Sequence, residues 1–420
     1  MVEVVGTDAG GVATLPAAVQ ALVRQADRVA APQRLLPELR AWLESVAATP
    51  PPELLASDRP GELLPLLRQG LAEGRHQVVL ASGDPLWFGI GRLLREQLGG
   101  EHLRFHPAPS SLQLAFARLG RPWQDASWLS LHGRDPEPLA AALQRRPPAL
   151  VVLTDPGRGG ATAVVAGLRA SGLEACYAVW LCERLGHPAE QVRKLERGAA
   201  VPPSLDPLHL VVLIAEEPAP PAPEQLPLFG LEDGLWLQHP DRPGLMTKRE
   251  VRVQLLADLD LPAHGVLWDI GAGVGSVGLE ALRLRPQLQL WAVESRGGSA
   301  PLIAANAERL GVRPAGIMEG RAPQALAELP DPDRVLIGGG GRHGPAILAA
   351  VLPRLRPGGL VVIPLATVEG LAALRPLLEG ASLAVTVGQL QAWRGTPLAE
   401  GTRLAPLNPV LVLRGRRPPA

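Results

Sequence analysis

The sequence predicts an α/β protein of two domains, each built on a mostly parallel sheet. The chain has 420 residues, which is more than the roughly 250–300 that one hydrophobic core usually organises. Short apolar runs alternate with amphipathic stretches in both halves, as in folds where helices cover a parallel sheet. Closely spaced prolines over 216–230 favour an extended, poorly packed backbone between the halves. We therefore expect domains over 1–215 and 235–420, joined by a proline-rich linker over 216–234.

Each element follows from a short apolar run or from an amphipathic stretch beside one. In the first half, the expected strands are 2–5, 77–81, 128–131, 149–153, 175–180 and 208–215. In the second half, the expected strands are 266–270, 288–293, 334–337, 359–363 and 408–413, and the expected helices are 249–258, 276–284, 301–310, 344–355 and 367–378. A further strand over 383–393 is expected near an edge of the second-half sheet.

Composition excludes several classes of protein. Basic and acidic residues balance at 41 each, so no global charge attracts nucleic acid or an anionic membrane. The two cysteines, Cys176 and Cys182, argue against a disulfide scaffold and fit a reducing cytoplasm. No run of 18 apolar residues and no signal-peptide pattern occurs. We expect a cytoplasmic homo-oligomer. We also expect no bound metal, because no cluster of side chains has metal-ligand spacing.

The most informative motif is VLWDIGAGVGS, over 266–276. An apolar run ends at Asp269, alternating glycines and a helix-compatible segment follow, and a second apolar run ends in Glu294. Strand, glycine turn, helix, strand and acid form the layout of a nucleotide-binding crossover. Glycines let the backbone approach a ligand closely, and a carboxylate at Glu294 can accept hydrogen bonds from both ribose hydroxyls.

The glycine spacing helps to choose the ligand. A dinucleotide fingerprint counted from Gly271 needs glycine at position 276, where Ser276 stands. Counted from Gly273 the pattern is met by Gly275 and Gly278, but it then starts two residues later after the strand. The longer pattern D-x-G-x-G-x-G resembles the S-adenosylmethionine loop of Rossmann-type methyltransferases, and we favour that interpretation. A nicotinamide or flavin site and an ordinary glycine-rich turn are the alternatives.

Four segments of the first half carry recognisable patterns: VEVVGTDAGG (2–11), SGDPLWFGIG (82–91), PSSLQLAFARLG (109–120) and SLHGR (130–134). Together they resemble the tetrapyrrole methylase family, and specifically its precorrin C-5 methyltransferase branch. The resemblance covers most of residues 2–200 and implies a tetrapyrrole-methylase-like α/β domain of two αβα lobes. Two loops depart from the family pattern: Asp8 and Ala9 replace a glycine and a proline in the first turn, and the loop over 155–162 lacks the usual proline.

The implied cofactor contacts of the first domain lie in two of these segments. Gly83 lets the backbone approach a flat ligand, Asp84 can accept hydrogen bonds from the amino acid end of the cofactor, and Pro85 fixes the chain direction. Ser110 and Ser111 lie at a predicted helix N-terminus, where hydroxyls and free N–H groups cap the helix or bind polar atoms. A plain N-cap for the serines and a tight turn for Gly-Asp-Pro are the structural alternatives.

The second half resembles the decarboxylating precorrin C-15 methyltransferase family, which implies a Rossmann-type class I methyltransferase domain. The matching segments are RPGLMTKREVR (242–252), WDIGAGVGSVGLEAL (268–282), GRAPQAL (320–326) and RVLIGGGGRHG (334–344). The residues implied to bind the cofactor are Thr247, Asp269, Gly271, Ala272, Gly273, Val274, Gly275, Glu294 and Ala322. Arg321 stands where the family usually has an acidic or small residue, so only the backbone of Ala322 is expected to contact adenine.

Together the halves resemble the bifunctional precorrin-6Y C-5,15-methyltransferases (decarboxylating) of cobalamin synthesis. This resemblance implies that the first domain methylates C-5 of a precorrin. It implies that the second methylates C-15 and removes CO2 from the C-12 acetate, with S-adenosyl-L-methionine as methyl donor. Reduced pyrrole carbons behave like enamines, so alignment, which can lower a barrier by roughly 7–11 kcal/mol, matters more than a strong base. No catalytic residue is therefore assigned.

The expected substrate contacts are arginine side chains beside the recognised loops and the open space at a cluster of glycines. A planar guanidinium binds carboxylates bidentately, and Arg134, Arg249 and Arg342 lie beside the recognised loops. Glycines 338–341 leave room for a macrocycle at the carboxyl edge of the sheet, with a flexible turn as the alternative. The isolated histidines, expected to be structural, are His132, His187, His209 and His343. The alternative functions are the same chemistry on a cobalt-precorrin, methylation of RNA or protein, and a non-catalytic binding module.

Overall fold

The computed structural model describes residues 1–46, 50–131, 137–338, 341–398 and 401–420. The chain divides into two compact units. The first unit comprises Met1–Arg134, Pro148–Val164 and Val179–Ile214, and the second comprises Asp135–Pro147, Val165–Ala178 and Ala215–Ala420. The second unit therefore includes two short segments from the first half of the chain. The domain boundaries at 215 and 235 stay a prediction.

The first half of the chain forms two five-stranded sheets. Their strands are β1 (Val2–Thr7), β2 (Arg28–Ala31), β3 (Glu53–Ala56), β4 (Gln77–Ser82), β5 (Leu103–His106), β6 (Ala126–Ser130), β7 (Ala149–Leu153), β8 (Tyr177–Glu183), β9 (Gln191–Leu195) and β10 (His209–Ala215). The helices are α1 (Ala17–Arg24), α2 (Leu36–Ser45), α3 (Pro60–Ala72), α4 (Gly91–Leu98), α5 (Ser111–Leu119), α6 (Glu137–Gln144) and α7 (Gly160–Ala170).

The first sheet has the order β3-β2-β4-β1-β5, and its pairings are parallel. Both of its faces carry buried aliphatic side chains, since Val5 and Leu80 belong to one core cluster and Val4 and Val79 to another. A parallel sheet covered on both faces needs near-continuous apolar strands, as β1 and β4 have. The second sheet, β6-β7-β10-β8-β9, is mixed: β6 pairs with β7 in parallel, and the pairs β7–β10 and β8–β9 are antiparallel.

The second half forms a seven-stranded sheet and a separate hairpin. The strands are β11 (His264–Ile270), β12 (Gln287–Glu294), β13 (Gly316–Glu319), β14 (Arg334–Ile337), β15 (Leu360–Leu365), β16 (Ala384–Leu390), β17 (Trp393–Leu398), β18 (Gly401–Pro406) and β19 (Val410–Arg416). The helices are α8 (Arg249–Asp258), α9 (Ser276–Leu284), α10 (Ser299–Arg309), α11 (Gly344–Val351) and α12 (Val368–Gly380).

The seven-stranded sheet has the order β13-β12-β11-β14-β15-β19-β16. Its first five strands are parallel, and β19 pairs antiparallel with both β15 and β16. Because parallel strands end at the same edge, the loops after β11, β12 and β14 lie together at the carboxyl edge, where ligands bind in such folds. The mixed α/β fold with Rossmann-like parallel sheets confirms the predicted fold class. No helix among the described residues has the length and apolar character needed to span a bilayer.

Most predicted elements occur within a few residues of their expected bounds, and the strand predicted over 383–393 forms the sheet edge as β16. Helix α11 ends at Val351 rather than 355. Pro353 explains the difference, because its ring and missing N–H disfavour continuation of a helix. The strands that sequence reasoning missed are β2, β3, β5, β9, β13, β17 and β18. Several are only four residues long or carry charged residues, so their apolar signal is weak.

The prolines predict a poorly packed backbone over 216–230, but they do not predict the packing that follows at the C-terminal end of the linker. Leu231 and Asp233 are buried. The backbone N–H groups of Gly230 and Leu231 donate to the two carboxylate oxygens of Glu280, at 2.6 and 3.1 Å. A buried carboxylate needs such donors, and proline spacing gives no sign of a partner 50 residues away.

Glu280 belongs to a buried charge network, which we define as Arg252, Glu280, Asp233, Arg394 and Glu250. The guanidinium of Arg252 is fully buried and pairs with Glu280 at 2.7 Å and with Asp233 at 3.2 Å. Arg394 pairs with Asp233 at 2.9 Å and with Glu250 at 2.8 Å. Paired charges can be buried where single charges cannot, so this network holds the end of the linker against helices α8 and α9.

The Arg252→Met substitution should lower the free energy of unfolding by roughly 3–5 kcal/mol, because it leaves the buried carboxylate of Glu280 without its counter-charge. Urea denaturation followed by circular dichroism would measure the change. The matched control is Arg375→Met on α12, where the arginine is 55% exposed beside Glu379 and the expected loss is at most about 0.5 kcal/mol. Equal losses in the two variants would contradict the assigned role of the network.

Candidate functional site

The glycine loop after β11 has the conformation that its sequence predicts. Gly271, Gly273 and Gly275 have φ angles of 76°, 60° and 81°, in the left-handed region that favours glycine. The N–H groups of Gly271 and Ala272 both donate to the carbonyl oxygen of Val293, at 2.8 and 3.2 Å. The loop is therefore fixed to β12 at its start.

Space at the loop is uneven, and Gly273 faces the open side. No atom of the described residues lies within 4 Å of the position that a β-carbon on Gly273 would occupy. At Gly278, by contrast, a β-carbon would lie 2.9 Å from the carboxylate of Asp269 and 2.7 Å from Leu290. Gly278 is thus required by packing, while Gly273 leaves room for a ligand.

Glu294 ends β12 beside this open position. One of its carboxylate oxygens accepts the N–H of Gly273 at 2.9 Å, and the other accepts the N–H groups of Ser295 and Arg296 at 2.7 and 3.0 Å. Its carboxylate is thereby placed next to the tip of the glycine loop. The structure brings Glu294 and the loop together, as the strand–loop–helix–strand pattern predicts.

Asp269 lies at the base of the same loop, 2% exposed. Its carboxylate accepts the N–H of Gly278, within α9, at 3.0 Å. Burial raises the pKa of the Asp269 carboxyl to about 7; the charge of Glu294 adds to the rise and the Gly278 N–H opposes it. Asp269 therefore positions the first turns of α9 instead of facing the open side of the loop.

Asn306 is a positioning residue that sequence reasoning missed. It is 1% exposed on α10, and its side-chain N–H₂ donates to the carbonyl oxygens of Val274 and Leu237, at 3.0 and 3.1 Å. Its side-chain oxygen accepts the N–H of Leu237 at 2.9 Å. Asn306 thus joins the buried part of the glycine loop to the chain before α8. The only signal was one amide within the apolar stretch of that helix.

Ala322 and Thr247, the other residues predicted to bind the cofactor in the second unit, lie outside the glycine loop. Ala322 is buried in the loop after β13, and this loop begins beside Glu294, whose carbonyl oxygen accepts the N–H of Gly320 at 2.8 Å. Thr247 lies two residues before the start of α8, and its carbonyl oxygen accepts a hydrogen bond from Arg252 at 2.7 Å. The structure thus connects Ala322 with the glycine loop and Thr247 with the buried charge network.

Three loops of the first unit meet at the carboxyl edge of its parallel sheet. They follow β1, β4 and β5. The N–H of Gly83 donates to the carbonyl oxygen of Thr7 at 2.6 Å. A β-carbon on Gly6 would lie 2.4 Å from the Gly83 carbonyl oxygen and 2.8 Å from the Ala108 nitrogen. These close approaches explain the glycine at position 6 and place the Gly83–Pro85 segment beside the loop that leads to Ser110.

Asp84 and Ser110 already have local partners in these loops. The Asp84 carboxylate accepts the N–H of Leu86 at 2.8 Å. The Ser110 hydroxyl accepts the N–H of Gln113 at 3.3 Å, and the Gln113 side-chain oxygen accepts the Ser110 N–H at 2.8 Å. This is a reciprocal capping box at the start of α5, where Ser111 is the first helical residue. The structural alternative for the serine, an N-cap, is therefore present in the structure.

The altered first turn is stabilised by its own acid. The carboxylate of Asp8 accepts the N–H of Gly10 and the hydroxyl of Thr14, both at 2.9 Å. In the second altered loop, Asp155 accepts the N–H of Gly157 at 3.0 Å. In both loops an aspartate thus provides hydrogen bonds within the turn, Asp8 at a substituted position and Asp155 at a position that matches the family pattern.

The arginines expected to contact substrate and the histidines expected to be structural differ in the contacts they make. His132, Arg134, Gly339 and Gly340 lie outside the described residues. Arg249 donates to the Gly230 carbonyl oxygen at 2.7 Å, and Arg342 donates to the neighbouring His343 at 3.3 Å. His209 accepts the N–H of Ala161 at 3.2 Å, and His187 accepts the N–H of Ala189 at 3.0 Å. The contacts of His187 and His209 are those of structural histidines.

Comparison with known proteins identifies the family. Residues 1–200 match the family model described as Tetrapyrrole (Corrin/Porphyrin) Methylases, and residues 239–417 match that of the Precorrin methyltransferase domain. A Sinorhizobium sp. protein named precorrin-6Y C(5,15)-methyltransferase (decarboxylating) is 34% identical over 337 residues, which cover 80% of this chain and 79% of that protein. The chain belongs to this family. It is a methyltransferase with the two predicted kinds of domain.

Other relatives match most of the chain or less than half of it. A protein of the same name from Mycobacterium tuberculosis (strain CDC 1551 / Oshkosh) is 31% identical over 353 residues, covering 84% of this chain and 85% of that protein. A Pyrobaculum calidifontis protein, named a probable cobalt-precorrin-6B C(15)-methyltransferase (decarboxylating), is 38% identical over 170 residues. The match covers 40% of this chain and 87% of that protein. Membership of the precorrin-6Y C(5,15)-methyltransferase family thus rests on matches that span both halves.

For this family member, we expect Asp269→Asn to change the pH dependence of stability. The carboxyl has a pKa of about 7 in the folded state and about 3.9 when unfolded. Its contribution to stability is therefore complete below pH 4 and is lost as the pH rises through 7. The stability of the variant relative to the wild type should rise over this window, by at most about 4 kcal/mol.

Urea denaturation of both proteins between pH 4 and 8 would measure this difference. Asn can still accept the hydrogen bond from Gly278, so the loop should be preserved. The control is Asp241→Asn, where the aspartate is 68% exposed and the difference from wild type should stay constant within about 0.5 kcal/mol. A difference for Asp269→Asn that is independent of pH would show that the carboxyl titrates in its ordinary range.

Proposed function

We propose that the chain transfers methyl groups from S-adenosyl-L-methionine to C-5 and C-15 of a precorrin. We propose that it also removes CO2 from the C-12 acetate, as a step of cobalamin (vitamin B12) biosynthesis. The observation that carries this proposal is the 34% identity, over 80% of the chain, to a protein named for both methylations and for the decarboxylation. A relative of only one half would support only one of the two methylations.

The second-unit loop fits the methyl donor in shape and polarity. The Gly273 position is open within the described structure, so a ligand can approach the backbone there. Glu294 places a carboxylate at the edge of this space, and a carboxylate can accept more hydrogen bonds than the three it receives from the backbone. The ribose hydroxyls of S-adenosyl-L-methionine can donate such hydrogen bonds.

The first unit offers a second place for the same donor. Its three loops converge at Gly6, Gly83 and Ala108, and Asp84 keeps acceptor capacity beyond its one backbone partner, Leu86. Ser110 contributes through the helix that it caps, since the free N–H groups at the start of α5 remain directed toward the loop. The roles of these residues as cofactor contacts are part of the proposal.

The chain's own contribution to the chemistry is alignment. The bound donor supplies a methyl group that is already electrophilic. Asp269 and Asn306 fix the glycine loop from below, through the Gly278 N–H and the Val274 carbonyl oxygen. A fixed loop keeps the reacting atoms in line, and such preorganisation accounts for much of the expected rate enhancement. The cytoplasmic location, the homo-oligomer and the absence of nucleic-acid and membrane partners remain predictions.

Cobalt-precorrin is a second candidate substrate, because the Pyrobaculum calidifontis relative, which matches 40% of the chain, is named for it. Incubation of the full chain with precorrin-6Y or with its cobalt counterpart, followed by mass spectrometry, would decide between them. We expect the metal-free substrate to gain two methyl groups and lose CO2. Turnover of the cobalt compound alone would favour the second candidate, and an unchanged mass for both would contradict the proposal.

The Gly273→Asp substitution should remove one of two cofactor sites in the full chain. Asp tolerates a left-handed conformation better than most residues, so the loop should form. Its carboxylate would then occupy the open space and repel that of Glu294. Calorimetric titration with S-adenosyl-L-methionine should show two sites in the wild type and one in the variant. The product of the variant should carry the C-5 methyl group and keep its acetate.

Two further substitutions provide controls. Gly358→Asp has a similar starting point, since Gly358 has a φ angle of 72° and open space around it within the described structure, but it lies before β15, at the opposite edge of the sheet. It should keep both sites. Gly83→Asp should remove the other site and abolish C-5 methylation. Two intact sites in Gly273→Asp would show that the pocket lies elsewhere.

A further inference from the structure

One cavity in the second unit, mostly apolar but with charged groups in its lining, is not explained by methyl transfer. Its volume is about 460 Å³, including its open mouth, and its charged lining residues are Arg146, Lys248, Arg394 and Asp233. All four belong to the second unit. Three cations and one carboxylate thus face one small space.

The single carboxylate in the lining is already neutralised. Asp233 pairs with Arg252 at 3.2 Å and with Arg394 at 2.9 Å. Its burial opposes ionisation, but these two guanidinium groups outweigh burial and hold its pKa below the usual range. Asp233 is therefore already paired twice, and it forms no ion pair within 4.0 Å with the other two cations of the lining.

Arg146 and Lys248 lack an acidic partner in the described part of the chain. Arg146 is 8% exposed, and its hydrogen bond is to the carbonyl oxygen of Asp233 at 2.7 Å. Lys248 donates to the carbonyl oxygen of Gly244 at 3.0 Å. Neither forms an ion pair within 4.0 Å among these residues. Buried cations are ordinarily paired, so the buried Arg146 is an exception, and the half-buried Lys248 lies beside it.

The surroundings disfavour both positive charges. Burial lowers the pKa of Arg146. Burial also lowers the pKa of Lys248; Asp233 opposes this effect, and the charges of Arg146 and Arg394 add to it. A bound anion would relieve this repulsion and supply the missing partner.

Lysine itself is unusual in this chain, which has 41 basic residues but only two lysines, Lys194 and Lys248. An ammonium group is a compact point charge, whereas guanidinium is a planar fork. One fork, from Arg146, and one point charge, from Lys248, are well suited to a small tetrahedral or planar oxyanion.

We propose that this cavity binds a small oxyanion, either free phosphate or a carboxylate group, held by Arg146 and Lys248, while Arg394 stays paired with Asp233 and Glu250. The cavity is too small for a tetrapyrrole, so a carboxylate ligand would be a small acid or one side arm of a larger molecule. The proposal does not depend on the methyl-transfer reaction. The site is nevertheless close to the predicted cofactor residue Thr247, because Lys248 follows it in sequence and Arg252 contacts both Thr247 and Asp233.

The test is calorimetric titration of the full chain with inorganic phosphate and, separately, with propionate, at an ionic strength held constant with sodium chloride. We expect saturable binding of at least one of them. Binding of phosphate alone would indicate a free anion, and binding of propionate would indicate a carboxylate group. Saturable binding of neither, or heat that added chloride reproduces, would overturn the proposal.

Variants of the two lysines make the test specific. Lys248→Met should weaken binding by at least about tenfold, which corresponds to 1.4 kcal/mol, and Lys248→Arg should retain most of it. The matched control is Lys194→Met on β9, which should bind like the wild type. Without anion, Lys248→Met should unfold at the same temperature as the wild type or higher, because it removes a charge in an unfavourable place. Unweakened binding by a folded Lys248→Met would place the anion elsewhere and refute the assignment.

Discussion

The buried pair of Arg252 and Glu280 is the interaction on which the second unit most depends. Neither side chain is exposed, and their charged atoms lie 2.7 Å apart. Two ions can remain in such a place only if every donor and acceptor is used. Glu280 accepts the N–H groups of Gly230 and Leu231, and Arg252 donates to the carbonyl oxygens of Leu231 and Thr247. The pair therefore requires the linker end and the segment before α8 to stay in place.

The position of Glu280 extends this constraint to the candidate site. Glu280 lies on α9, which begins immediately after the glycine loop. The same helix receives the hydrogen bond of Asp269 at Gly278, and Asn306 holds Val274 from α10. Three buried polar contacts thus fix the loop from behind. Its open side, at Gly273, needs no such support, because that side is available to a ligand.

Local patterns predicted the parts of this arrangement that depend on local chemistry. The glycine spacing, the acid at Glu294 and the bounds of α8 and α9 follow from residues close together in sequence, and the structure agrees with each. Asn306 and Asp233 were missed because their roles depend on partners 69 and 19 residues away in the chain. Packing at the end of the linker could not be predicted for the same reason: proline spacing describes the local backbone, whereas the Leu231 N–H donates to a carboxylate 49 residues later. Ser110 is an intermediate case. Its capping partner Gln113 is local and could be predicted, but the sequence is equally compatible with an N-cap and with a cofactor contact for the serine.

Asp269 and Glu294, the two acids at the glycine loop, differ in role: one positions helix α9 and the other lies at the open space. Asp269 is buried, receives one N–H and has a pKa raised to about 7 by burial. It can hold α9 in either protonation state, because each retains an oxygen that accepts the Gly278 N–H. Glu294 is less buried and receives three backbone N–H groups at the rim of the open space. Donors of this kind stabilise a carboxylate without neutralising it. Glu294 is therefore the acid that can also accept hydroxyl donors from a ligand, whereas contact with Asp269 would require the loop itself to move.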